Sequence, residues 1–540
     1  MGQPGWSTVM IGRIRFSLVV LIVVVLSGCA SLPPGSDFPK IASSALPHPE
    51  QTRLGRQLES AVREHQGNSG FRIIPVGADG FLTRMQMINA AERTLDLQYF
   101  IFRGDDTGKL LTGAVLHAAD RGVRVRLLID DGETMAGDDQ ITALEAHPSI
   151  EIRIFNPFAY RGHVLAFRAI EFMFNASRLD YRMHNKLMVV DNVIALVGGR
   201  NIGDQYFQID PESQFADDDV FVAGPVAQQL SATYDEYWNS ALSIPTEALS
   251  GGKSSHRELT EHREELHEQS QQLKTDGVDY VKRVASGEPF NGIVSGRLPL
   301  IWAHAQLICD SPDKKSVENG AMVGRLMHRA VATATMAVQS ELLMVTPYLI
   351  PGDEGMQMFK ALRRRDVRVR ILTSSLESSG VLLAQAGYMG YRVPLLEEGV
   401  ELYEVRSLLG NSRGSGQTAA ISRYGNYSLH AKLFVFDRQR VFLGSMNFDQ
   451  RSMHLNTEIG VIIDSPELAQ QVATRFDAMV QPANSYMLAL QPNETGRSRS
   501  LVWRTQEDGK AVEYKSEPAR SNWQRFKANV LSLLPFDREL

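Results

Sequence analysis

Two stretches of the chain run through the same order of apolar and polar positions. In the first, "AAERTLDLQYFIF" passes from a helix end into an apolar run of strand length. "KLLTGAVLHAADRG" follows with the spacing of an amphipathic helix, and "VRVRLLID" reads as the next strand. The second stretch repeats the series with "ELLMVTPYLIP", "GMQMFKALRRRD" and "VRVRILTSS". Strand–helix–strand order with short links predicts an α/β fold whose sheet is largely parallel and covered by helices. The arginines of "ALRRRD" predict an exposed helix end, where cations suit the macrodipole.

The repetition extends well beyond these elements. "RMHNKLMVVDNVIALVGGRNIGD" in the first half is matched by "SLHAKLFVFDRQRVFLGSMNFDQ" in the second. His184, Lys186 and Asp191 have the spacing of His430, Lys432 and Asp437, and Gly198 and Asn201 follow at the offsets of Gly444 and Asn447. Upstream, "RGVRVRLLID" is echoed by "RDVRVRILTS". Downstream, Asp217 and Glu458 each precede a proline by the same interval. A register held through four separate blocks is an internal duplication. Between the glycine and the asparagine the residues are not matched: Arg200 stands where the second half has Met446.

Outside the repeats the pattern changes. Residues 246–300 contain "KSSHRELTEHREELHEQSQQLK", polar almost all round, which predicts a solvated helix inserted between a half at 71–245 and a half at 301–480. In the extension 481–540, "SNWQRFKANVLSLLP" sets Trp523, Phe526, Val530 and Leu534 at helical spacing. That stripe is expected to dock on the body, with membrane contact as the alternative. At the other end, Arg13 and Arg15 precede "FSLVVLIVVVL", far short of the roughly 20 apolar residues that span a bilayer. The run reads as the core of a secretory signal over 1–28, and residues 29–70 begin as a Pro/Ser/Gly-rich spacer.

At 540 residues, 43% hydrophobic and 22% charged, the chain can bury two or three globular cores. A net charge of −6 lacks the basic footprint of a nucleic-acid binder, so no nucleic-acid partner is expected. Beyond Cys29, Cys309 is the one cysteine of the sequence, which leaves no internal disulfide or zinc site; core packing is expected for it.

Two histidines from duplicated halves, each with a lysine and an asparagine, point to one composite site on a pseudo-twofold axis. A neutral imidazole can attack phosphorus while a protonated one donates to the leaving oxygen. Attack by histidine would divide a phosphodiester exchange into two displacements through a phosphohistidine. Lys186 and Lys432 would set positive charge on the non-bridging oxygens, and Asn201 and Asn447 would add amide donors. Such a site needs no cofactor and no metal, and activity is expected to survive a chelator.

Both stretches resemble the HxKxxxxD motif, with its downstream Gly-x-x-Asn, of the phospholipase D superfamily. "MHNKLMVVDNVIALVGGRNIGDQYF", "VTPYLIP" and "GSMNFDQRSMHLNTEIG" are most similar to bacterial cardiolipin synthases of the C-type branch. The resemblance implies a duplicated fold of two mixed β-sheets flanked by helices. It implies a nucleophile at His184 and a general acid/base at His430, oriented across the seam by Glu458 and Asp217 respectively. Asp191 and Asp437 would be motif carboxylates that stabilise the local fold. The implied activity is phosphatidyl transfer to make cardiolipin, with hydrolysis to phosphatidic acid or, further off, cleavage of a non-lipid phosphodiester as alternatives. The implied partners are phosphatidylglycerol, with phosphatidylethanolamine second, and an oligomer is not required. Leu26-Ser27-Gly28-Cys29 resembles the bacterial lipobox, which implies an acylated Cys29. Ala30 and Ser31 after it favour the periplasmic face of the outer membrane.

Overall fold

The computed structural model describes residues 32–132, 143–161, 165–208, 213–250, 255–275, 289–407, 426–492 and 499–533. Cys29 and residues 1–28, read above as a signal, lie outside these residues.

The first half contributes β1 (Ser69–Ile74), β2 (Thr94–Tyr99), β3 (Arg124–Asp130), β4 (Ile150–Phe155), β5 (Leu187–Val190), β6 (Ile194–Gly198), β7 (Ser213–Ala216), β8 (Asp219–Ala223) and β9 (Ser243–Pro245). The second contributes β10 (Ile301–Cys309), β11 (Glu341–Val345), β12 (Arg368–Ser374), β13 (Glu401–Val405), β14 (Asn426–Leu429), β15 (Leu433–Phe436), β16 (Arg440–Gly444) and β17 (Ile459–Asp464). The extension adds β18 (Ser485–Pro492), β19 (Arg499–Glu507) and β20 (Lys510–Tyr514).

In the first half the strands lie in the order β9-β4-β3-β2-β5-β6-β8-β1. The second runs β18-β13-β12-β11-β15-β16-β17-β10, the same path strand for strand. Antiparallel pairing of β1 with β10, from Phe71 opposite Ile301 to Ser69 opposite Ala303, joins the two sheets edge to edge. Each sheet is mixed rather than largely parallel: only β2-β3-β4 and β11-β12-β13 are parallel. The other pairings are antiparallel, and in each half one of them, β5 with β6 and β15 with β16, is a tight hairpin. Asp191 and Asn192 both have positive φ (53° and 56°), and the Val193 N–H donates to the Val190 carbonyl, closing the turn into β6. Asp437 and Arg438 repeat it at 54° and 55°. Paired left-handed residues are what a tight antiparallel hairpin requires, and Asp and Asn adopt that region more readily than most.

Both faces of the central strands are buried, so alternate residues serve different cores. Leu187, Val189, Val220 and Val222 join a core that also takes Leu433, Val435, Val461 and Ile463 from the second half. The helices Pro225–Trp238 and Pro466–Met479 pack into this shared core. The residues between them face outward: Met188, Val190 and Phe221 into a core of the first half, Phe434, Phe436 and Phe442 into one of the second.

The helix His256–Thr275 is not wholly solvated. Leu259, His262 and Leu266 are buried on the first half, and Arg263 forms two 2.7 Å hydrogen bonds to Asp120. Three positions two turns long are too few to stand out in so polar a segment. The helix Asn522–Leu531 departs from the expected docking: it buries Ala528, while Trp523, Phe526 and Val530 are exposed. Leu534 lies outside the described residues. Cys309 is buried, within 3.7 Å of the Thr233 hydroxyl. Among the described residues no helix is long and apolar enough to cross a membrane.

Candidate active site

His184 and His430 stand at the entrances to β5 and β15, each held by backbone bonds to the other half. The His184 N–H donates to the Thr457 carbonyl at 2.9 Å, and the His430 N–H to the Ala216 carbonyl at 2.8 Å. Thr457 and Ala216 immediately precede Glu458 and Asp217, so the same crossing delivers the carboxylates. His184 Nδ1 lies 3.0 Å from both Glu458 carboxylate oxygens, and His430 Nδ1 lies 2.5 Å from Asp217 Oδ2. A carboxylate at Nδ1 accepts that N–H and fixes the tautomer, leaving the Nε2 lone pair free to react. Parallel pairing of β7 with β14 and the single bridge between Met183 and Thr457 hold the two crossings in register.

The lysines turn back onto their histidines. Lys186 Nζ donates to the His184 carbonyl and Lys432 Nζ to the His430 carbonyl, with Lys432 Nζ also 3.0 Å from His430 Nδ1. Aromatic rings close the remaining sides: Phe100 meets His184 edge-on with centroids 5.0 Å apart. Phe215 stacks on His430 at 5.1 Å, and Tyr206 meets it edge-on at 5.2 Å. Only 6% of His184 and 8% of His430 reach solvent.

Burial sets the protonation of the site. It pushes both imidazoles down, with the lysines adding to the effect; His430 falls to about 3. Burial also lowers the lysines, Lys432 to about 8. The carboxylates differ. Burial raises Glu458 to about 7, whereas Asp217, despite burial, is held below the usual carboxylate range by its pairing with His430 and by the charges of Lys432 and Arg200. In the empty site both imidazoles are therefore neutral at neutral pH, and of the two carboxylates the one beside His430 is the more fully ionised.

The halves also differ in how their carboxylates are supported. The Ser445 hydroxyl donates to Glu458 Oε2, and the Glu458 N–H donates to Asp310, itself paired with Lys314 at 3.0 Å. Gly199 occupies the position of Ser445 in the first half, where a Cβ would collide with the Asp217 carboxylate. Arg200, one of the residues unmatched between the halves, is fully buried and donates to the carbonyls of Ile74, Pro75 and Asp217. It shares Asp219 with Arg84, at 3.0 Å and 2.7 Å. Met446 and Gly460 take these places in the second half with no charge at all.

The remaining motif residues sit differently from one another. Asn201 is committed within the protein: its carbonyl oxygen accepts the Ile101 N–H at 3.1 Å and its amide donates to the Tyr206 hydroxyl at 2.9 Å. Asn447 is buried with its carbonyl oxygen unpartnered among the described residues. Asp191 and Asp437 lie at the far end of β2 and β11 from the histidines, about 20 Å away for a six-residue strand. Asp191 accepts the N–H groups of Glu92, Arg93 and Thr94, and Asp437 those of Gln339, Ser340 and Glu341. Their use is to cap strand entrances. Among the described residues no His/Cys/Asp/Glu group could hold a metal ion. Sequence reasoning did not reach Ser445, the Arg84–Asp219–Arg200 cluster or the ring shell. The Arg200/Met446 mismatch was the signal for the cluster.

Residues 85–238 and 332–480 match the family model described as cardiolipin synthase, phospholipase D-like domain, one match carrying each histidine. Cardiolipin synthase C of Escherichia coli strain K12 is 35% identical over 512 residues, covering 93% of this chain and 99% of that one. An uncharacterized protein of Helicobacter pylori strain 26695 is 30% identical over 530 residues, 97% and 100% of the two chains. The crystal structure of phosphatidylserine synthase from Haemophilus influenzae superposes with a TM-score of 0.51 at 13% identity, covering 81% of this chain and 92% of that one, which establishes the shared fold. The chain belongs to the cardiolipin synthase family of phospholipase D-like proteins and is a phosphatidyltransferase of that type.

Proposed function

We propose that this phosphatidyltransferase makes cardiolipin from glycerophospholipids by two displacements through a phosphohistidine at His184. The observation that carries the reading is the crossed pairing of two buried, neutral imidazoles with carboxylates of opposite halves, beside two buried lysines. In the first step His184 Nε2 forms a bond to the donor phosphorus as the bond to the headgroup oxygen breaks, and that oxygen takes a proton from His430. In the second, an acceptor lipid hydroxyl gives its proton to His430, its oxygen bonds to phosphorus, and the P–N bond to His184 breaks. With two phosphatidylglycerol molecules the products are cardiolipin and glycerol. Phosphatidylethanolamine as donor releases ethanolamine instead.

His430 must gain a proton that the empty site withholds. The bound phosphate supplies the cause, because its negative charge offsets the lysines that depress the imidazole, while ionised Asp217 favours the imidazolium. His184, beside a carboxyl raised to about 7, has less reason to hold a proton, which suits the nucleophile.

Lys432 gives the reaction an alkaline limit. Its cation is present below about pH 8 and is lost as pH rises through that value. The free-enzyme profile of kcat/KM should therefore fall above about pH 8, and Lys432→Arg should move that fall at least one pH unit upward in its residual activity. An unmoved limb would take the assignment away from Lys432.

Whether alcohol or water receives the phosphatidyl group is decided on vesicles of mixed phosphatidylglycerol and phosphatidylethanolamine. The enclosed histidines and their ring shell support exclusion of water. Cardiolipin should be the major product and phosphatidic acid the minor one. Phosphatidic acid at every acceptor concentration, with no cardiolipin, would make the protein a phospholipase. We further place the protein as a lipoprotein on the periplasmic face of the outer membrane, held by acyl chains on Cys29. The intact mass of the mature chain, with or without those acyl groups, decides this part.

A further inference from the structure

Two exposed apolar faces remain unexplained by the fold, and both sit at the mouth of the site. On the helix Leu165–Leu179, Phe167, Ile170, Met173 and Phe174 share one face at helical spacing, and 53%, 71% and 62% of Phe167, Met173 and Phe174 are open to solvent. On the helix Asn522–Leu531, Trp523 (63% exposed) and Phe526 (56%) stack with centroids 5.3 Å apart, and Val530 continues the stripe. Clustered exposed aromatics of this size mark an interaction surface.

Their anchoring places them on the edge that holds the histidines. The first helix ends five residues before His184, and Arg168 pairs with Asp131 at 3.0 Å, just past the carboxyl end of β3. The second is tied just past the carboxyl end of β12: Gln524 donates to the Leu376 carbonyl at 2.7 Å and Arg520 to that of Glu377. Next in that segment, the Ser378 carbonyl accepts from the Ser428 hydroxyl at 2.6 Å, two residues before His430. Because β3 and β12 are equivalent strands of the duplicated halves, the two faces flank one opening, each beside its own histidine.

We propose that these two faces are the surface by which the enzyme seats its opening on an anionic phospholipid bilayer. The inference rests on the phosphatidyltransferase reading, since a phosphodiester still embedded in a bilayer must reach histidines less than a tenth exposed. Charge favours a lipid surface over a second copy of the chain. Arg520, Arg525 and Lys527 lie in or just before the tail helix, with Lys527 5.9 Å from the Trp523 ring centroid, while Glu517, the nearest acid before it in the sequence, is buried against Arg392. Apolar rings with a cationic rim are the composition of an interfacial helix, and tryptophan is enriched at that depth. Two like-charged rims would repel each other.

The test uses the full chain reconstituted with phosphatidylglycerol/phosphatidylethanolamine vesicles. An environment-sensitive fluorophore is placed on cysteine substituted at Met173 or Val530, with exposed Arg257 on the polar helix as control. Lipids carrying a nitroxide high on the acyl chain should quench the first two labels and leave the third. If Met173 and Val530 stay as open to aqueous iodide as Arg257, the proposal fails. It also fails if their shielding follows protein concentration rather than lipid, which would mean self-association. The doubles Met173→Ser with Phe174→Ser and Trp523→Ser with Phe526→Ser should each lower turnover on vesicles at least about tenfold. Both should leave turnover of monomeric short-chain phosphatidylglycerol unchanged. Equal turnover on vesicles would overturn the docking role. Quenching without turnover of any lipid would instead overturn the catalytic reading and leave the surface standing.

Discussion

His184→Ala and His430→Ala are each expected to lower phosphatidyl transfer by at least about a thousandfold. On the proposed mechanism one replacement removes the covalent route, and the other removes the proton donor of the first step and the base of the second; positioned acid/base groups alone contribute about 10²–10⁴. Neither half can compensate. Each imidazole depends on a carboxylate from the other half, and each backbone N–H beside it is bonded across the seam. The double variant should be little worse than either single one, because the two groups act as a unit. Unfolding transitions at unchanged denaturant concentration would show that the loss is chemical. A variant at either position with half the normal rate would refute the composite site.

The largest expected effect on stability lies at Asp219. Its carboxylate receives two bonds from Arg84 and one from Arg200, and all three side chains are buried. Asp219→Ala takes from two buried guanidinium groups in the first-half core the carboxylate they share. Breaking a buried pair from one side costs about 3–5 kcal/mol, read as a fall in the urea midpoint at constant slope. Activity should fall with it, since Arg200 also donates to the carbonyl of Asp217, whose carboxylate is hydrogen-bonded to His430 Nδ1. A loss below about 1 kcal/mol would mean that water reaches the arginines and the cluster is not a closed one.

The duplication, the strands and the histidine–lysine pairs were legible because they repeat, and a repeated register needs no three-dimensional information to be seen. The crossing of Glu458 to His184 and Asp217 to His430 came from resemblance, since nothing in linear spacing says which half a carboxylate serves. The largely parallel sheet expected from strand–helix–strand order gave way to the mixed one that the resemblance implied, because the later strands of each half pair antiparallel, one pair through the tight turn at Asp191 and its equivalent through that at Asp437. Arg200 announced itself as a mismatch, but its partner Arg84 lies on a helix more than a hundred residues away. Ser445 went unremarked since its counterpart is a glycine, and the reason for that glycine is a carboxylate contact visible only in space. The tail helix showed its stripe in the sequence and not its partner: an apolar stripe looks the same whether it covers a core or faces lipid.

The central claim is that phosphorus passes through His184. Full-length enzyme should be mixed with phosphatidylglycerol labelled at phosphorus, stopped in base within the first turnover, and digested for peptide mapping. The account predicts label on the peptide carrying His184 and none on that carrying His430, with the label chased into cardiolipin when acceptor lipid is added before the quench. Label on His430 would reverse the two roles, and product formed with no labelled peptide at any time would contradict the covalent mechanism itself.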